Sequence, residues 1–150
     1  MIRRATIADA EQIQHLINQF ADAGRLLPRS LSEIYDNLRD FQVYEGQDHH
    51  IEGVCALHIC WKDLAEIRSL AVAEEERKKG IGMKLVEACL EEARQLGIKQ
   101  VFLLTYIPPY FEGAGFRAAD KSTLPHKIWA DCVKCVKFPD CDETAMIINL

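Results

Sequence analysis

Apolar residues recur along this chain with two periods, one near 3.6 and one of 2, and the switches between them mark out its elements. Ile2 to Ala5 reads as a short strand, and Thr6 and Asp9 are both N-cap or first-turn residues for a helix expected to run to about Ala23. Ile13, Leu16, Ile17 and Phe20 form its apolar stripe and Gly24 is its stop. Ser30, with Glu33 three residues on, is a capping-box pattern that opens a second helix closing near Leu38 to Asp40. Phe41 to Glu45 and Ile51 to Trp61 read as antiparallel strands, and Ala65 to Val72 as a third beyond the turn Lys62-Asp63. Ile81, Leu85, Val86, Cys89, Leu90, Ala93 and Leu96 then give a helix with an apolar face wide enough to pack on a sheet, ended by Gly97.

Gln100 to Thr105 is a buried strand, Pro108 to Phe116 a short helix broken by glycines and followed by a strand, and Ala145 to Leu150 a terminal strand. The strand–loop–helix–strand unit predicts a right-handed crossover between parallel strands. The pattern contains no repeat, low-complexity tract or linker, so residues 1–150 are expected to form one mixed α/β domain, with an irregular cysteine-containing segment over about 120–143.

Composition narrows the class. A chain of 150 residues with 49% hydrophobic and 27% charged side chains is ordinary for a globular domain. A net charge of −5 argues against nucleic acid as a partner, because phosphate-backbone binding needs a basic face. No secretory leader opens the chain and no stretch approaches the roughly 18 apolar residues that would cross a membrane, so a cytoplasmic protein is expected. Its six cysteines would then stay mostly reduced, with Cys55, Cys60 and Cys89 as small buried side chains. His49 and His50 read as exposed turn residues, with metal binding the lesser alternative.

The chemistry concentrates where the third strand meets the long helix. Arg77-Lys78-Lys79-Gly80-Ile81-Gly82 is a basic, glycine-containing turn opening straight into a helix start, where unpaired N–H groups and the helix dipole favour an anion. The glycines remove Cβ atoms that would hold a phosphate away. A nucleotide P-loop would need Lys and then Ser or Thr after the second glycine, and the dinucleotide fingerprint a third glycine; neither is present.

The pattern Arg-x-x-Gly-x-Gly after a strand resembles the acetyl-CoA loop of the GCN5-related N-acetyltransferase (GNAT) superfamily, and Gly115-Phe116 lies about where that superfamily has its own Gly-Phe. The element order is similar along nearly the whole chain. The resemblance implies the GNAT fold: a central, mostly antiparallel twisted sheet, splayed at the acetyl-CoA site, with helices on both faces. It also implies acetyl-CoA as cosubstrate, its pantetheine arm on the strand Ser69 to Val72 through backbone groups of Leu70, Ala71 and Val72. The pyrophosphate is then expected on Arg77, Lys78, Lys79, Gly80, Ile81 and Gly82, with a strand donor polarising the thioester carbonyl.

Direct attack by an amine requires that the amine be neutral, and Glu66 is the candidate base, acting directly or through water; its alternative is a solvated or Arg68-paired carboxylate. Many members of the superfamily carry an acid Tyr four residues before the Gly of Gly-Phe. That position is Phe111 here, and Tyr110, one residue earlier, is expected to point elsewhere on its helix, so no acid is assigned. A CoA-like thiolate can leave into water.

Three further stretches, Gly24 to Ser30, Ala65 to Val72 and Thr123 to Trp129, resemble the short single-domain N-acetylglutamate synthases of bacterial arginine biosynthesis. That resemblance implies L-glutamate as acceptor, with Arg29 helping to bind its carboxylate and Arg68, Ser69 and Lys127 as further acceptor contacts. It also implies the absence of the amino-acid-kinase-like domain of longer synthases and of any arginine feedback through it. Other readings on the same fold are another small amine or a protein N-terminus as acceptor, or a non-catalytic acyl-CoA sensor. A homodimer is compatible with the sequence, and no membrane partner is expected. Cys132-x2-Cys135-x5-Cys141 has spacing that could hold a structural zinc, against the plainer reading of three reduced cysteines in an irregular tail.

Overall fold

The computed structural model describes residues 1–22, 26, 28–73, 80–124 and 143–150. Arg77, Lys78, Lys79, Lys127, Cys132, Cys135 and Cys141, and the predicted helix stop at Gly24, lie outside the described residues. A seven-stranded sheet runs in the order β1-β2-β3-β4-β5-β7-β6. Its strands are β1 (Ile2–Arg4), β2 (Phe41–Glu45), β3 (Ile51–Trp61), β4 (Leu64–Val72), β5 (Gln100–Thr105), β6 (Arg117–Ala119) and β7 (Thr144–Asn149). Every neighbouring pair is antiparallel except β4–β5, which is parallel as the crossover predicts.

Helices cover both faces. On one, α1 (Ala10–Asp22) and α2 (Leu31–Asp36) bury Ile13, Ile17 and Ile34 against Val43, Val54 and Ala71. On the other, α3 (Ile81–Leu96) seats Leu85, Val86 and Cys89 against Leu57, Ile67 and Val101. The approach is close: a Cβ on Gly53 of β3 would lie 3.0 Å from Leu85 Cδ1. A short α4 (Pro108–Glu112) sits between β5 and β6.

Local signals set the helix starts. Ser30 Oγ accepts from the Glu33 N–H at 3.1 Å, and the Glu33 carboxylate reaches back to the Ser30 N–H at 3.4 Å, the predicted capping box. Thr6 and Asp9 mark the first helix start as expected, Thr6 as the cap and Asp9 in the first turn; that turn, Ile7–Asp9, is 3₁₀, and α-helical bonding starts at Ala10. Strand β4 begins at Leu64, one residue before the predicted Ala65, because Leu64 pairs with both Trp61 and Gln100. The last strand shifts to Thr144–Asn149 for a similar reason, since Thr144 pairs with Thr105.

Asp9 ties the first strand to that helix start. Its carboxylate accepts Nη1 and Nη2 of Arg3 at 2.8 and 3.0 Å and the Thr6 N–H at 2.7 Å, which holds it below the usual carboxylate range. A carboxyl acidified by folding stabilises the native state above its unfolded pKa and loses that contribution as pH falls through the lower folded value. D9N is therefore expected to cost about 2 kcal/mol at pH 7, and the difference from the native chain should shrink in acid. Urea unfolding across pH 2 to 7 checks both.

Candidate functional site

The sheet is not continuous between β4 and β5. Their ladder comprises Leu64↔Gln100, Ala65↔Val101 and Glu66↔Phe102, after which the two strands part, although β5 stays paired with β7 as far as Thr105. The cause lies in β4. Between Val54↔Ala71 and Ala56↔Arg68, β3 advances two residues while β4 advances three, so β4 carries one extra residue, a β-bulge. Ser69 within it takes φ +58°, a left-handed conformation that costs a non-glycine residue about 1–3 kcal/mol. The bulge bends β4 away from β5.

The wedge so opened is a cavity of about 470 Å³. Ile67, Ser69, Leu70 and Val72 form one wall, and Leu103 and Leu104 the other. Tyr106, Ile107, Tyr110 and Phe111 add to the lining, as do Phe20 near the end of α1 and Leu26. The result is an apolar slot walled on one side by the bulged part of a strand, suited to an extended arm with peptide-like groups.

The start of α3 lies at the same slot, where Gly82 is part of the lining. Gly80 caps that helix at φ +74°, a conformation that selects glycine. The first turn contains no acidic residue, so its free N–H groups and dipole are left for an exogenous anion.

The predicted residues divide into groups. Arg68, Ser69, Leu70, Val72 and Gly82 all line the cavity. Ala71 and Ile81 are each 1% exposed with side chains in the two cores, so what they offer a ligand is their backbone. Glu66 stands half-buried at the vertex where the strands part, on the face it shares with Arg68. Arg29 lies just before α2 with its side chain 11% exposed, and Nη1 is 3.4 Å from Glu33 Oε2. Its backbone is clamped from α1: Arg29 N–H donates to Asn18 Oδ1 at 3.2 Å, and its carbonyl accepts from Asn18 Nδ2 at 3.3 Å and Gln14 Nε2 at 3.4 Å.

Tyr110 departs from expectation. Phe111 is the buried member of the pair, 6% exposed and edge-on to Phe116 at 6.0 Å, and this turns the adjacent Tyr110 over the slot. A Cβ added to Gly82 would collide with the Tyr110 hydroxyl. Burial, aided by the Cys55 thiol, pushes this phenol above its ordinary pKa, so it is a proton donor at neutral pH. No sequence signal marks the contact, which joins the start of the crossover helix α3 to α4 beyond β5. His49 sits in the exposed turn with Nδ1 2.9 Å from Glu45 Oε1, and the described residues contain no group of three or more His, Cys, Asp or Glu able to hold a metal.

Comparison with known proteins is consistent along the chain. The acetyltransferase (GNAT) family profile matches residues 10–111. An uncharacterized N-acetyltransferase of Chlorobaculum tepidum is 42% identical over 151 residues, covering 99% of this chain and 96% of that protein. An amino-acid acetyltransferase of Mycobacterium tuberculosis is 36% identical over 132 residues, 86% of this chain and 75% of that protein. Among solved structures, the N-acetylglutamate synthase of Neisseria gonorrhoeae, complexed with coenzyme A and N-acetyl-glutamate, superposes with a TM-score of 0.89 at 27% identity. All of this chain is covered, against 35% of that one.

The Gly82–Tyr110 contact is testable directly. G82A should displace the hydroxyl from the slot and weaken CoA binding by roughly 1–3 kcal/mol, the usual cost of overpacking. Y110F in the same chain should restore affinity, as read by titration calorimetry.

Proposed function

The chain belongs to the GNAT acetyltransferase family and is an acetyl-CoA-dependent amino-acid N-acetyltransferase, and on that footing we propose that it acetylates the α-amine of L-glutamate to give N-acetylglutamate, the first step of arginine biosynthesis. The observation that supports this reading is Arg29, a largely buried guanidinium pinned through its backbone to α1 and three residues after Leu26 of the slot lining, in a chain whose fold matches an N-acetylglutamate synthase. A dicarboxylate acceptor needs paired cations, and Arg68 on the slot wall is the second. Lys127 joins them in this reading, and Ser69 contributes from the bulge.

The cosubstrate arm runs along Ser69 to Val72, and its pyrophosphate meets the N–H groups at the start of α3 together with Arg77, Lys78 and Lys79. Glu66 takes one proton from the incoming ammonium, directly or through water. The amine nitrogen then attacks the thioester carbon: a C–N bond forms and the carbonyl electron pair moves to oxygen, where a β4 N–H receives it. Collapse restores the carbonyl and expels sulfur with the C–S electron pair, Tyr110 protonates the thiolate, and the second proton of the nitrogen passes through water to the Tyr110 phenolate, restoring the phenol.

The deciding experiment is free-thiol release from acetyl-CoA with a panel of amines. Glutamate should support turnover, with N-acetylglutamate as product; turnover only with other amines would move the acceptor elsewhere, and none with any amine would make the protein an acyl-CoA sensor. R29A should raise the glutamate KM by 1.5–3 kcal/mol, about 10- to 150-fold, while changing kcat little. E66Q should lower kcat by about 10²- to 10³-fold with acetyl-CoA binding retained.

A further inference from the structure

Beside Glu66 lies a histidine–carboxylate pair that the reaction just described does not use. His58 of β3 is the antiparallel register partner of Glu66, and such opposed residues hold their Cβ atoms about 4.5–5.5 Å apart on one face. His58 Nδ1 lies 2.7 Å from Oδ2 of Asp40, the last residue of the 3₁₀ turn Leu38–Asp40. A carboxylate at that distance accepts, so Nδ1 is the donor and Nε2 carries the lone pair of the neutral ring. The ring is thereby fixed in orientation and tautomer, with 35% of the His58 side chain and 23% of the Asp40 side chain exposed.

The neighbours of Glu66 leave few routes for a proton. On the β5 side it is opposed by Phe102, fully buried and without an exchangeable proton. Arg68, the next residue on the same face of β4, is permanently protonated and cannot accept. Ala56, opposite Arg68, is apolar. Of these register neighbours of Glu66, His58 is able to take a proton onward, and it reaches bulk water. A base at the vertex where the strands part has to be reset in every cycle.

We propose that His58, held by Asp40, is the proton outlet of Glu66. The inference rests on the reading of Glu66 as base. The proton removed from the acceptor ammonium passes from the Glu66 carboxyl, directly or through one water, to Nε2 of His58 and then to water or buffer. Only O–H and N–H bonds are exchanged in these steps; no electrons are transferred. Asp40 accepts the Nδ1–H throughout and so holds the ring in place. His58 touches neither substrate and acts through Glu66.

Chemical rescue separates this role from a structural one. In a weakly buffered, imidazole-free assay, H58A should turn over about tenfold more slowly with an unchanged acetyl-CoA KM, and added imidazole should restore most of the rate. D40N, which keeps the ring and its packing, should fall in the same direction by a smaller factor. Calorimetric acetyl-CoA binding equal to that of the native chain shows that each variant is folded. Undiminished turnover in H58A, or a loss that imidazole does not repair, overturns the proposal. E66Q tells the two readings apart: a slow E66Q beside a fast H58A removes the outlet alone, whereas a fast E66Q removes Glu66 as base and the outlet with it.

Discussion

Ser69 at φ +58° is the constraint on which the site depends, because the extra residue it accommodates is what turns β4 out of register with β3 and away from β5. Left-handed backbone at a serine costs about 1–3 kcal/mol, and only packing on both sides of the bulge can hold it there. That packing is present: Ile67 and Val72 are anchored in the α3 core, and Ala71 in the core beneath α1. The sheet therefore opens while both flanks stay fixed. A wedge of this kind places main-chain polar groups beside an apolar slot, and a ligand arm built from amide units can satisfy the former and fill the latter.

Other features take their meaning from that opening. The first turn of α3 stands at its edge with no acidic side chain to compete for an incoming anion. Tyr110 lines it beside Phe111, whose ring is at the same time packed into the α3 core. The two substrates are served by different kinds of structure. In the proposed reading, strand and helix termini, whose backbone groups are fixed, receive the cosubstrate, and the acceptor is met by side chains on the segment before α2, where Arg29 is held by the Asn18 and Gln14 amides. Such a division lets acceptor preference change with a few side chains while the thioester seat stays as it is.

The sequence was most legible where the cause is local. The apolar stripe of α1, the Ser30–Glu33 capping box and the glycine entry to α3 follow from spacing and backbone preference, and all are present. The parallel β4–β5 pairing follows from the length of the crossover. Features made by contacts between distant segments were not legible. Nothing in Arg68-Ser69-Leu70 announces a bulge, since a glycine would be the usual marker of positive φ. The direction of Tyr110 depends on which of two aromatic neighbours the core accepts, and a helical wheel cannot rank them. His58 reads as one polar residue in an apolar strand until the register sets it opposite Glu66.

The claim at the centre is that acetyl-CoA completes the open edge of β4. Backbone amide hydrogen exchange, measured with and without CoA, tests it most directly. Added protection is expected at Leu70 to Val72 and in the first turn of α3, with the β2–β3 ladder unchanged. Protection that appears elsewhere, with these amides exchanging as fast as in the free protein, would contradict it.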